Sequence, residues 1–205
     1  MNINIVLNIT GSLCLLVAPV LFIMGALKND GEPGKIDPNA TTFFIRSIVS
    51  WLNLATYFVG SQATLIRCSV LIVSAVSLSA LFFLSLFAGR WKLIKATEII
   101  CLVLTLMVGY AWYFQKATDP VTANILMQVI LVISFVPAAW RSYRFEDRQT
   151  PATWLWAVVA YVFMTAALLV DPQGFKPFQL INPLIPGICG NGLLALLAFR
   201  QTRRA

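Results

Sequence analysis

The sequence predicts an all-α membrane protein with seven transmembrane helices, and three observations carry that prediction. Of the 205 residues, 59% are hydrophobic and only 11% charged, against roughly 45–50% and about 25% for a soluble domain. The apolar residues fall into seven runs, each close to the ~20 residues that cross a hydrocarbon core. The basic residues crowd into alternate connections between these runs, the pattern that orients a multi-pass protein. A water-soluble globule is excluded, because a mean hydropathy of +0.81 leaves too few polar side chains to cover a folded surface.

Gly, Pro and charge punctuate the runs. Span 1 covers residues 3–27. Its first residues, Met1-Asn2-Ile3-Asn4, carry no Lys or Arg, and the apolar run is too long for a signal peptide, so it reads as a retained span. A polar link at 28–41, holding Gly31, Pro33, Gly34 and Pro38, leads to span 2 at 42–60. Spans 3 and 4 follow at 66–88 and 95–114, and spans 5, 6 and 7 at 121–140, 152–170 and 179–199. No stretch remains for a soluble domain.

The formal charge of +7 comes from 15 Lys and Arg against 8 Asp and Glu. On a soluble protein it would suggest nucleic acid; here its placement encodes orientation. The connections on the amino-terminal side hold Arg67, Lys116 and Lys176, whereas the other side holds eleven cations, from Lys28 and Lys35 to Arg203 and Arg204. Cytoplasmic loops retain positive charge, so the amino terminus is expected outside and the carboxyl terminus in the cytoplasm. An odd number of spans requires the termini on opposite sides, in agreement. Trp91, Trp140, Tyr143 and Trp154 at the cytoplasmic ends, and Trp112 and Tyr113 at an outer end, fit the aromatic belts of the headgroup level. Trp51 and Trp156 lie further into their spans.

Weak self-similarity points to an internal repeat. At an offset of 115, Leu65-Ile66 and Ala80-Leu81 of span 3 match Leu180-Ile181 and Ala195-Leu196 of span 7. Offset 112 pairs Asn39-Ala40-Thr41 with Pro151-Ala152-Thr153, and offset 118 pairs Val17-Ala18-Pro19 with Phe135-Val136-Pro137. The plan is then three spans, one linker span and three spans: repeat one at 1–90, the linker at 91–118, repeat two at 119–205. Because three is odd, span 4 restores a common orientation to both triplets. Parallel repeats about an axis along the membrane normal are a transporter architecture, with the substrate site between the halves.

The residues of the second half resemble a known group. Ser134-Phe135-Val136-Pro137-Ala138-Ala139-Trp140-Arg141-Ser142-Tyr143-Arg144, followed by Thr150-Pro151-Ala152-Thr153-Trp154, is similar to the proline-containing helix, basic loop and Ser/Thr-led helix of the PQ-loop proteins. That superfamily includes the SWEET sugar transporters, bacterial vitamin importers and lysosomal cystine exporters. The sequence departs from the family motif in having Pro137-Ala138 where a Pro-Gln pair is typical, and Pro19-Val20 in the first half. Trp112, Asp119-Pro120, Pro137 and the basic loop also resemble uncharacterised bacterial integral membrane proteins, which bring no function with them. The resemblance implies a hinge role for Pro137, which the repeat extends to Pro19; a proline within a span removes a backbone hydrogen bond and kinks the helix.

Candidate substrate-binding residues are the polar groups inside the spans. Span 7 is the least lipid-like, with Asn182, Pro183, Pro186, Gly187, Gly190, Asn191 and Gly192 close together. An unpaired amide in hydrocarbon costs a few kcal/mol, so Asn191 should face the bundle interior or water. The SWEET resemblance implies the sugar path for Asn191; interhelical hydrogen bonding is the alternative. Its repeat counterpart is Val76, so the family's paired asparagine is missing. Asn53 and Trp51 in span 2, with Asn124 and Gln128 four apart on one face of span 5, are the other groups able to orient a solute. Arg46 and Glu98 sit about one turn from the cytoplasmic surface, where long side chains snorkel; in an inward-facing vestibule Arg46 would instead bind an anion.

Absences shape the rest. The chain has no histidine, and Cys14, Cys68, Cys101 and Cys189 lack metal-ligand spacing, so no metal or cofactor is expected. Without a paired carboxylate or an activated serine, an enzyme is not expected. No Asp, Glu or His lies near a midplane, which favours facilitated diffusion over proton symport. A retinal photoreceptor needs a lysine inside span 7, and Lys176 precedes it. The expected function is a transporter of a small neutral or zwitterionic metabolite (sugar, nucleoside or vitamin) by alternating access, in a bacterial inner membrane. The alternative is a receptor, assembly factor or other interaction protein without a substrate path. Expected partners are the solute and the lipid bilayer, not nucleic acid, with homo-oligomerisation left open.

Overall fold

The computed structural model describes residues 2–28, 40–88, 96–115, 118–144 and 150–203, including every side chain except those of residues 26–28, Thr97, Pro137 and Arg141. Seven helices account for most of them: α1 (Ile3–Lys28), α2 (Ala40–Ser61), α3 (Ser69–Phe87), α4 (Ala96–Tyr113), α5 (Pro120–Tyr143), α6 (Pro151–Leu169) and α7 (Phe178–Thr202). No strand occurs among the described residues. Six helices are long and apolar enough to cross a membrane; the apolar part of α4, Glu98–Tyr113, is shorter. The chain is therefore an all-helical, multi-pass type of protein.

Local chemistry sets the helix ends. Asp119 caps α5 by accepting from the backbone of Val121 (2.9 Å) and Thr122 (3.1 Å), ahead of Pro120 at the first helical position, where a missing N–H costs nothing. Exposed Asp119 has its carboxyl held below the usual value, chiefly by the Thr122 hydroxyl. Thr150-Pro151 opens α6 in the same way, though without a side-chain cap. Gln62 closes α2 at φ 55°, a left-handed conformation unusual for a residue with a β-carbon.

The distribution of side chains inverts that of a soluble protein. Leu, Ile, Val and Phe cover the outside, as on α4 with Ile100, Val103, Leu106 and Met107, while Asn4, Asn8, Asn53, Asn124, Gln128 and Asn182 are buried. In lipid, apolar contact between helices has no aqueous driving force behind it, so close packing and hydrogen bonds hold the bundle. At Gly11 of α1 a β-carbon would stand 2.9 Å from the Ala160 carbonyl oxygen of α6. That approach lies in the most extensive helix contact of the molecule, α1 on α6.

The helices do not pack in chain order. α3 lies against both α1 and α2, and α7 lies against both α5 and α6. Across the bundle α1 meets α6 and α2 meets α5, with α4 packed outside against α5 and α2. One apolar core gathers Leu54, Tyr57, Val70, Ala160, Met164 and Phe178 from α2, α3, α6 and α7. A second joins α2, α4 and α5 through Ile45, Val49, Cys101, Met127 and Ile130.

α7 departs from the uniform helix expected of span 7. Its middle, Pro183–Gly190, winds as a π-helix between the α-helical segments Phe178–Asn182 and Asn191–Thr202. Pro183 and Pro186 have no N–H to maintain the i→i−4 ladder, and Gly187 packs directly on Tyr161 of α6. Wide π turns are uncommon and concentrate at functional sites.

Candidate functional site

A cavity of about 170 Å³ lies among α1, α2, α3, α5, α6 and α7, with α4 taking no part. An apolar cavity of ~150 Å³ accommodates benzene, so this one has room for a molecule of about that size. Its inner end is formed by Asn53, Leu71 and Asn182, and its outer limit by Thr42, Leu81, Ala138 and Trp154. Along α2 the eleven residue steps from Asn53 to Thr42 correspond to about 16 Å, roughly half the hydrocarbon thickness. The cavity thus runs from inside the bundle toward the face bearing the carboxyl terminus. The connections 29–39, 89–95 and 145–149 on that face lie outside the described residues.

A chain of amides closes the inner end. Gln128 Nε2 donates to Asn124 Oδ1 (2.5 Å). Asn124 Nδ2 reaches Asn53 Oδ1 (3.0 Å), the Asn53 carbonyl (3.0 Å) and Thr56 Oγ1 (3.1 Å), and Asn53 Nδ2 donates to Asn182 Oδ1 (3.2 Å). The chain ties α5 to α2 and α2 to α7. Two buried atoms at its ends, Gln128 Oε1 and Asn182 Nδ2, have no hydrogen-bond partner among the described residues. An unpaired buried polar atom is costly, and only Asn182, at the cavity, is placed to meet a ligand.

Beyond this plug, toward the amino-terminal face, several side chains interlock among the described residues. Tyr57 is fully buried and meets Phe178 edge-on at 6.2 Å. Arg67, in the α2–α3 connection, forms an ion pair with buried Asp171 in the α6–α7 connection. Lys176 Nζ donates to the Gly60 carbonyl at 2.9 Å. The neighbouring Cys68 is fully buried there.

The expected site residues separate into three groups. Asn53 and Asn191 line the cavity; Asn191 spends its amide N–H groups on the Pro186 and Gly187 carbonyls of its own helix (3.2 and 2.7 Å). Asn124 and Gln128 stand behind Asn53 as its supports, fully buried and off the cavity wall. Trp51 is not among the residues of the cavity wall: it is 45% exposed, with Nε1 bonded to Ser79 of α3 at 3.0 Å. Pro19 lines the cavity from α1. Pro137 lies within α5, its side chain outside the described residues.

Neither long charged side chain does what snorkelling predicts. Glu98 is 4% exposed, and its carboxylate accepts from the Thr42 hydroxyl at 2.5 Å; α4 packs that first turn against α2 instead of leaving it at the surface. Arg46 points into the cavity, its guanidinium 4.4 Å from the centroid of the Phe135 ring. Asn182, Tyr161 and Thr153 also line the cavity; of these the sequence marks only Asn182, as part of the irregular run of span 7 and not as a binding residue. Asn182 and Asn191 are nine residues apart, and an unbroken α-helix at 3.6 residues per turn would set them about half a turn apart. The wider π segment brings both to one cavity. Among the described residues no group of three or more His, Cys, Asp or Glu is placed to hold a metal ion. Compared with known protein families, curated proteins and solved structures, the chain matches none.

Proposed function

We propose that this chain is a membrane transporter that carries a small neutral or zwitterionic metabolite by alternating access. It sits with seven spans in a three-one-three arrangement, amino terminus outside, in a bacterial inner membrane. The observation that carries the reading is a cavity between the two triplets whose largely apolar wall includes Asn53, Asn182 and Asn191, with side chains from both triplets paired at the amino-terminal face. Solute enters from the cytoplasmic face, meets Asn53, Asn182 and Asn191, and leaves outward once the Arg67–Asp171 pair and the amide chain part.

The packing order supports the repeat. In each triplet the third helix lies against the first and second, and the reciprocal contacts α1–α6 and α2–α5 are those that a two-fold axis along the membrane normal generates. α4 is the linker span; its 18 residues correspond to about 27 Å, close to the hydrocarbon thickness. Pro19 and Pro137 are the matching hinges of the two halves.

The test is binding followed by flux. Purified protein is screened by thermal shift against sugars, nucleosides, vitamins and amino acids, and hits are measured by counterflow in proteoliposomes. The reading predicts at least one solute that stabilises the protein and accumulates by counterflow, with both effects weakened in Asn182→Ala. A folded, reconstituted protein that moves none of them, and that copurifies with a stoichiometric partner, is instead an interaction protein.

A further inference from the structure

We infer that the cavity selects a compact, neutral carbonyl compound, whose oxygen accepts from the Asn182 side-chain amide, and that it rejects polyols. This rests on the transporter reading and narrows its substrate class to small ketones, lactams and amides with an apolar body.

The direction of the amide chain makes its cavity end a donor. The two ends of a side-chain amide have the same shape, and only their neighbours fix which one carries the N–H groups. Here a backbone carbonyl fixes it. The Asn53 main-chain oxygen can only accept, and it lies 3.0 Å from the Asn124 amide. The Thr56 hydroxyl gives its own proton to the Leu52 or Asn53 carbonyl (2.9 and 3.1 Å), so it too accepts from Asn124. Asn124 therefore turns Nδ2 toward α2 and Oδ1 toward Gln128. The same Nδ2 meets Asn53 Oδ1, which leaves Asn53 Nδ2 to donate to Asn182 Oδ1. What remains is Asn182 Nδ2, a donor without an acceptor, on a residue of the cavity wall that is itself 2% exposed. Bonds in series polarise one another, which strengthens this terminal donor.

The rest of the wall suits an apolar body. Phe22, Phe43, Phe135, Trp154 and Tyr161 contribute rings to it. Its other amide nitrogens are committed, Asn53 Nδ2 to Asn182 and Asn191 Nδ2 to two carbonyls of its own helix. Thr42 gives its hydroxyl proton to Glu98, and the Arg46 guanidinium is engaged on the Phe135 ring. Ser50, Ser74 and Ser77 stand on helices, where a serine can bond its own i−4 carbonyl. Thr153 Oγ1 is buried without a partner, but a hydroxyl either donates or accepts, so it does not choose between solutes. A sugar brings a hydroxyl on nearly every carbon, and each one left unpaired in such a wall is costly. A carbonyl compound of about the size of benzene brings a single acceptor, which the Asn182 amide matches.

The experiment titrates the full-length protein in detergent with three uncharged rings of similar size: cyclopentanone, which only accepts, pyrrole, which donates through its N–H, and benzene, which does neither. Partition into the micelle is common to all variants, so affinities are read relative to benzene. The parent should bind cyclopentanone about 5- to 150-fold more tightly than pyrrole, the worth of pairing a buried donor. Asn182→Leu abolishes that preference while benzene binds as before. Asn124 lies behind the cavity wall as a positioning residue, yet Asn124→Leu frees Asn53 and Asn182 to turn either way and brings cyclopentanone and pyrrole toward parity. Gln128→Leu leaves Asn124 anchored on the Asn53 carbonyl and keeps the preference. A parent that binds pyrrole as well as cyclopentanone, a preference that survives Asn182→Leu, or accumulation of a sugar by counterflow overturns the proposal and leaves transport standing; the first and last of these need no variant. The expected preference in a protein that moves no solute by counterflow overturns transport and leaves the binding site. Binding and counterflow of no solute overturn both.

Discussion

Replacing Gly187 by alanine puts a methyl group where the structure has no room. The new carbon would stand 2.5 Å from Tyr161 Cγ, 2.7 Å from Cδ1 and 3.0 Å from Cβ, against about 3.5–4.0 Å for carbon atoms in contact. The deficit falls at the root of the Tyr161 side chain, which cannot swing aside without displacing α6 or changing rotamer into the cavity. Overpacking of this kind costs about 1–3 kcal/mol. For a chain of this size each kcal/mol is worth about 2–4 °C, so the Tm of the purified protein should fall by about 2–12 °C. Solute binding should weaken with it, since Tyr161 lines the cavity. Tyr161→Ala removes the ring that the methyl group strikes. The double variant should therefore melt close to Tyr161→Ala alone, the non-additivity expected of direct contact. A Gly187→Ala protein that melts like the parent, or penalties that simply add, would refute the close approach of α7 to α6.

Three further outcomes follow from the same geometry. Asp171→Asn removes the buried partner of Arg67, which keeps 16% exposure of its own; breaking a buried pair costs about 3–5 kcal/mol, here an upper bound. Lower thermal stability and faster maleimide labelling of Cys68 are expected, and unchanged values for both would show that the pair does not hold the amino-terminal face shut. Asn53→Leu leaves Asn182 Oδ1 without its donor and removes one of the three acceptors of Asn124 Nδ2, at a cost of about 1–2 kcal/mol; a variant as stable as the parent would show that the amide chain is not a structural tie. Asp119→Ala should lower stability at neutral pH. Because the folded carboxyl titrates below its unfolded value, the cap contributes fully above the unfolded value of about 3.9 and is lost as pH falls through the depressed one. The gap in Tm between Asp119→Ala and parent should therefore close on acidification, and a gap constant with pH would contradict the capping role.

The fold was legible where a single physical rule acts alone. Apolar run length placed all seven helices, with ends such as Ile3, Pro120 and Pro151 within a residue or so of the expected spans, because a hydrocarbon core leaves the backbone no alternative to the helix. Direction around the helix axis was less legible. Asn53 and Trp51 read alike as groups able to orient a solute, yet Asn53 lines the cavity and Trp51, two residues away, points outward to Ser79, and nothing in an apolar sequence distinguishes a ring against lipid from a ring in a cavity. Asn182 was obscured by the π segment, which shifts the register of everything before Asn191. The prolines and glycines of span 7 announced an irregular helix without saying which way it would turn. Arg46 was read from depth alone, whereas its orientation is set by Phe135, a residue of the other half, and a contact of that kind exists only after the halves have packed.

The most direct measurement of the central claim is two-sided accessibility of the cavity. Ser77 of α3 lines the cavity and can be replaced by cysteine in a chain whose Cys14, Cys68, Cys101 and Cys189 are changed to serine. In oriented vesicles, a membrane-impermeant thiol reagent is added to one face at a time. An alternating-access transporter resting closed at its amino-terminal face predicts labelling of Ser77→Cys from the carboxyl-terminal face, with labelling from the opposite face appearing when Asp171→Asn is added. A thiol that reacts from neither face in either background would contradict the account.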